Sequence, residues 1–89
     1  MTIQEYEEKL LQLIDDGIDT ATDDELFAGG YLRGHISLAA ADCESKNESQ
    51  LSVMKEKVEQ SITDAKSELS PSDECLIQLY WKELQSSVK

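Results

Sequence analysis

A single proline and four glycines are all the turn-forming material in a chain of 89 residues. That scarcity excludes a many-stranded β fold, whose hairpins consume such residues every few positions. No stretch approaches the roughly 18 consecutive apolar residues of a membrane helix. The opening MTIQEYEEKLLQLI has neither a basic n-region nor a small-residue cleavage site. A cytoplasmic location is therefore expected. Basic residues are few: eight Lys and Arg stand against nineteen Asp and Glu, for a net charge of −11. Phosphate backbones are held largely by Lys and Arg, so no nucleic acid is expected as a partner. Anionic membrane surfaces are disfavoured for the same reason. The two cysteines, Cys43 and Cys75, form no CxxC and no Cys/His pair at zinc spacing. In a reducing compartment both are expected as free, small apolar side chains.

What the chain does have is helical periodicity. Four amphipathic segments follow one another, near residues 2–19, 22–45, 48–68 and 71–88. The first carries Ile3, Tyr6, Leu10, Leu13, Ile14 and Ile18 at three- and four-residue steps, with acids opposite. In the second, Thr22 and Glu25 make a capping box, and Asp23, Asp24 and Glu25 meet the positive end of the helix dipole. Its apolar residues fall on two adjacent lines. One is Phe27, Tyr31 and Leu38; the other is Ala28, Leu32, His35, Ala39 and Cys43. Together they predict a wide buried face and a central helix. The third segment starts after Asn47 as its cap, with Gln50 as a possible box partner, and shows a narrow stripe of Leu51, Met54, Val58, Ile62, Ala65 and Leu69. The fourth starts at Ser70 with Pro71 in the first helical position. Ile77, Tyr80, Trp81, Leu84 and Val88 form its main stripe, while Cys75 and Leu79 point the other way. Short linkers make consecutive helices antiparallel neighbours. The expectation is one all-α domain over residues 1–89, an up-and-down antiparallel four-helix bundle. Tyr6, Leu10, Leu13, Phe27, Tyr31, Leu38, Val58, Ile62 and Trp81 are the expected core.

Irregularities concentrate in the second segment. It holds Gly29, Gly30 and Gly34, together with the one arginine (Arg33), the one histidine (His35) and the one phenylalanine. Each glycine inside a helix costs roughly 0.5–1 kcal/mol relative to alanine. Gly30 and Gly34 share a face, which suits close helix packing or a notch for a partner. No strand-to-helix turn surrounds them, so a phosphate loop is excluded. DDELFAGGYLRGH, from Asp23 to His35, resembles the YfcL family of small bacterial proteins, and the resemblance extends over nearly the whole chain. It implies kinship and brings no activity with it.

Catalytic constellations are not legible. His35 has no readable acid or nucleophile partner, and no nucleophile elbow is present. Leu32 stands where a Glu-x-x-His metal pair needs its glutamate, and DDGIDTATDDE fails the calcium-loop spacing. No metal and no cofactor is expected. Nine of the eleven net negative charges fall between Met1 and Glu44. That asymmetry either keeps a small helical protein soluble or steers a basic partner. The leading expectation is a non-catalytic module that binds another protein, with Gly30, Tyr31, Arg33, Gly34 and His35 as its neighbourhood. The alternative is a small-molecule or regulatory site around Arg33 and His35. The two-sided fourth helix also admits a homodimer contact.

Overall fold

The computed structural model describes residues 1–88, with every side chain among them except that of Lys66. Its helices are α1 (Ile3–Asp16), α2 (Asp23–Ser45), α3 (Leu51–Asp64) and α4 (Pro71–Ser87), with 3₁₀ turns at Ile18–Thr20 and Lys66–Glu68. No strand occurs among the described residues. The protein is an all-α, four-helix bundle.

Local chemistry sets most helix starts. Thr2 and Glu5 form a reciprocal capping box on α1, and Thr22 and Glu25 form another on α2. Each box satisfies two amides that would otherwise lack partners. Ser70 caps α4 by accepting from the Asp73 amide at 3.2 Å, with Pro71 at the first helical position. The start of α3 differs from the sequence expectation. Gln50 is its cap and makes no side-chain cap bond. Asn47 instead closes α2, with φ of 55°. The Glu48 amide donates to the Cys43 carbonyl at 2.8 Å and the Asn47 amide donates to the Glu44 carbonyl at 3.1 Å. This is the Schellman arrangement, and asparagine is one of the few residues besides glycine that tolerates its left-handed position. Helix α1 is shorter than its apolar pattern suggested. It stops at Gly17, and Ile18 is left half exposed.

Helix α2 is the hub: α1, α3 and α4 all pack on it. Helix α1 runs antiparallel to it, with Ile14 against Gly29 at one end and Gln4 reaching Glu44 at the other. Helix α3 is also antiparallel, since Lys57 bonds to Asp42 while Glu68 lies near Tyr31. Tyr6, Leu10, Val58, Ile62 and Trp81 are buried, as their stripes predict. The core is completed by Leu32, Ile36, Met54, Ile77 and Cys43, all at 0 % exposure.

Two core assignments on α2 are corrected. Phe27 is 42 % exposed and Leu38 is 65 % exposed. Tyr31 and Leu13 are half-buried. The buried arc is Ala28, Gly29, Leu32, Ile36, Ala39, Ala40 and Cys43. Its composition gives the reason. Three helices converge on α2, and alanine and glycine allow the backbones to approach, whereas a phenylalanine at the contact would hold them apart. On the adjacent line Phe27 and Leu38 are left outside, with Tyr31 half-buried between them.

A candidate docking face on the central helix

The five residues singled out from the sequence divide among three sides of α2. Arg33 lies toward α1. Its guanidinium makes a two-pronged contact with Asp15, Nε to Oδ1 at 3.2 Å and Nη2 to Oδ2 at 2.9 Å. The hydrogen bonds to Asp15, and then its charge, raise the Arg33 pKa. Both side chains are nearly half exposed. His35 follows two residues later, roughly 200° around the helix. It therefore lies almost opposite Arg33, at the margin of the buried arc. Its Nδ1 is buried with no hydrogen-bond partner among the described residues, and burial lowers its pKa. Burial thus favours the uncharged imidazole. Tyr31 stacks on it, with ring centroids 4.5 Å apart, and Phe27 extends the ladder at 6.2 Å from Tyr31. These are successive steps of four residues along one line of the helix.

Gly30 and Gly34 occupy the third side, which faces outward. A Cβ built at either would meet nothing within 4 Å. The close internal packing expected of them belongs instead to Gly29. There a Cβ would lie 3.2 Å from Ile14 Cγ2 and 3.3 Å from the Tyr80 hydroxyl. The sequence reading missed this role of Gly29. The available signal was its place three residues before Leu32 and seven before Ile36, on the buried arc.

The exposed surface between Arg33 and Asp42 is apolar. Leu26, Phe27, Gly30, Gly34, Leu38 and Ala41 are all exposed there. From Leu26 to Ala41, sixteen residues, Arg33 is the only one with a permanent charge, in a chain that is 30% charged. The cations bordering the face are already engaged. Arg33 holds Asp15, and both Lys57 and Lys46 hold Asp42. The hydrogen bond from Lys57 is the main cause of the lowered Asp42 pKa.

Little here resembles a reaction centre. The crevice beside Arg33 has a volume of about 110 Å³, and Ile14, Asp15, Leu26, Gly29, Gly30 and Tyr80 contribute to its walls. Pockets for small molecules usually span roughly 300–1,000 Å³. A larger open groove of about 480 Å³ lies at the other end of the bundle, by Thr2, Glu7, Ala40, Glu44 and Asn47. Cys43 is buried, and desolvation raises its pKa; Cys75 is exposed. Among the described residues no group of three or more His, Cys, Asp and Glu is placed to hold a metal ion. No helix among them is long and apolar enough to cross a membrane.

Comparison with known proteins supplies kinship. The family model described as YfcL protein matches residues 4–86. The protein named "Uncharacterized protein YfcL" of Escherichia coli (strain K12) is 45% identical over 84 residues, which cover 92% of this chain and 91% of that protein. No solved structure matches.

Proposed function

This chain belongs to the YfcL family, and we propose that it is a non-catalytic protein-interaction module that engages its partner through the outward face of α2. One observation carries the reading. The central helix, which buries more residues than any other helix, also leaves Leu26, Phe27 and Leu38 at 42–65 % exposure on a face with no charge of its own. Isolated exposed apolar residues are ordinary, but several grouped on one face of a small monomer mark a contact surface. The competing idea of a small-molecule site needs Arg33 and His35 to converge. They project to nearly opposite sides of α2, and the crevice at Arg33 is small. A cytoplasmic setting is part of this proposal.

A photo-crosslinking residue at position 34 tests the reading in cells. A control goes at Glu56, which is exposed on α3. We expect a discrete heterologous product from position 34 and none from position 56. Equal or absent crosslinking at the two positions would remove the outward face of α2 from consideration.

A further inference from the structure

Among the described side chains, the outward face of α2 has a rim that is acidic on balance. Glu25 borders the crevice that includes Leu26 and Gly30. Asp64 shares a shallow groove with Leu38. Glu68 is close enough to Tyr31 to raise its pKa, second to burial. Asp23 and Asp24 are exposed at the end of the helix just before the face begins. The cations along the same edges, Arg33, Lys46 and Lys57, are held by Asp15 and Asp42. These three cations against two carboxylates leave one positive charge, against five negative charges on Glu25, Asp64, Glu68, Asp23 and Asp24, so among the described side chains the strip is bordered by acid on balance.

Resting on the interaction reading above, we infer that the occupant is an amphipathic helix of another protein, with an apolar stripe flanked by Lys and Arg. The exposed apolar residues run from Leu26 to Ala41, roughly 24 Å of helix at 1.5 Å per residue, a length that fits a helix laid along the strip and not a loop tip. Where Gly30 and Gly34 lack side chains, the incoming backbone can come close, while Phe27 and Leu38 flank its apolar residues. The basic flanks meet Glu25 on one side and Asp64 and Glu68 on the other. Charge argues against a second copy of this chain as occupant. Each copy carries a net −11, and two such faces would bring acidic rims together.

The test uses the whole protein, isotope-labelled, and two synthetic amphipathic peptides. Both carry the same Leu/Ala stripe; one is flanked by Lys and Arg, the other by Glu. Amide shifts report the site and titration reports affinity. The basic peptide is expected to shift residues 26–41 and to bind at least tenfold tighter than the acidic one. Its affinity should fall as salt rises. The double variant Asp64→Lys, Glu68→Lys should reduce that preference at least tenfold. Both positions are exposed, so the fold is expected to survive, and circular dichroism checks it. Gly34→Glu should weaken the basic peptide as well.

Equal binding of the two peptides, or binding of the basic peptide away from α2, overturns the inference. So does a dimer seen by sedimentation that Gly34→Glu dissolves, since the occupant is then a second copy. If neither peptide binds while position 34 crosslinks to a protein, this inference falls and the interaction reading stands. If position 34 also fails to crosslink, both fall.

Discussion

The two sides of α2 are built from the same kinds of residue and have opposite fates. Inward lie Ala28, Leu32, Ile36, Ala39, Ala40 and Cys43, each at 5 % exposure or less. Outward lie Leu26, Phe27, Leu38 and two glycines with open space above them. Neither hydrophobicity nor side-chain shape separates the sets, since leucine and glycine stand on both sides; position around the helix does. Ala28, Leu32, Ile36 and Cys43 fall where three helices converge, while Phe27 and Leu38 fall on the side left for solvent or a partner. A helix that is apolar nearly all round is either buried all round or has one face in reserve.

The sharpest way to break this comparison is to truncate one leucine on each side. Leu32→Ala should cost about 2–5 kcal/mol, because Leu32 is at 0 % exposure and its loss leaves a cavity. Leu38→Ala should stay within about 0.5 kcal/mol, as an exposed substitution does. Urea unfolding of both variants measures the difference. Similar losses would mean that α2 is rotated about its axis from the arrangement described.

That rotation was the part the sequence could not settle. The caps were legible, because Thr22 with Glu25 and Ser70 with Pro71 act within one turn of chain. So were the buried faces of α1 and α3, where apolar residues keep to narrow stripes: Tyr6 and Leu10, then Val58 and Ile62. On α2 the apolar pattern nearly encircles the helix, so periodicity does not choose between the Phe27 line and the Leu32 line. The choice belongs to tertiary packing. Asn47 failed for a related reason, since asparagine suits both a helix N-cap and a left-handed C-terminal position. The glycine cluster was visible as an anomaly. Which glycine packs and which is open follows from the same rotation. The Asp15 partner of Arg33 lies eighteen residues away on another helix, beyond any local pattern.

The glycines give the next contrast. Gly29→Val should destabilise by about 1–3 kcal/mol, since added atoms crowd Ile14 and Tyr80. Gly34→Ala should stabilise by about 0.5–1 kcal/mol through helix propensity alone, because nothing stands in the way of its methyl. Thermal unfolding of the pair reads both signs. A destabilising Gly34→Ala would show that the open face is covered in the isolated protein, for instance by self-association.

Arg33 marks one edge of the outward face, and its removal should have a smaller effect. The pair with Asp15 is two-pronged but solvated, with side-chain exposures of 46 % and 42 %. Such solvated pairs contribute little to stability. Arg33→Ala should lose little in urea, and less still in high salt. A larger loss would assign Arg33 to holding α1 on α2 and not to the margin of a docking face.

His35 marks the opposite edge, and its effect is expected to be the smallest. Burial lowers its pKa in the folded protein below the ordinary value of 6.5. The unfolded chain, with the ordinary value, therefore binds more protons through the interval below pH 6.5. Stability rises with pH wherever the unfolded state binds more protons. The protein should accordingly lose stability as pH falls from about 6.5, and the loss should level off once the folded imidazole also protonates. The carboxylates with lowered pKa, Glu5 and Asp42, start from ordinary values of 4.5 and 3.8, so their effects fall at lower pH. His35→Gln should flatten the slope just below about pH 6.5 and leave the acid limb in place. Docking of a helix over the Tyr31–His35 stack would bury the imidazole further and depress its pKa more. Bound protein should then show a steeper dependence over the same interval than free protein. An NMR titration of the His35 ring, with and without the basic peptide, measures both. An unchanged ring pKa in the complex would place the docked helix nearer Arg33, on the far side of the glycine strip.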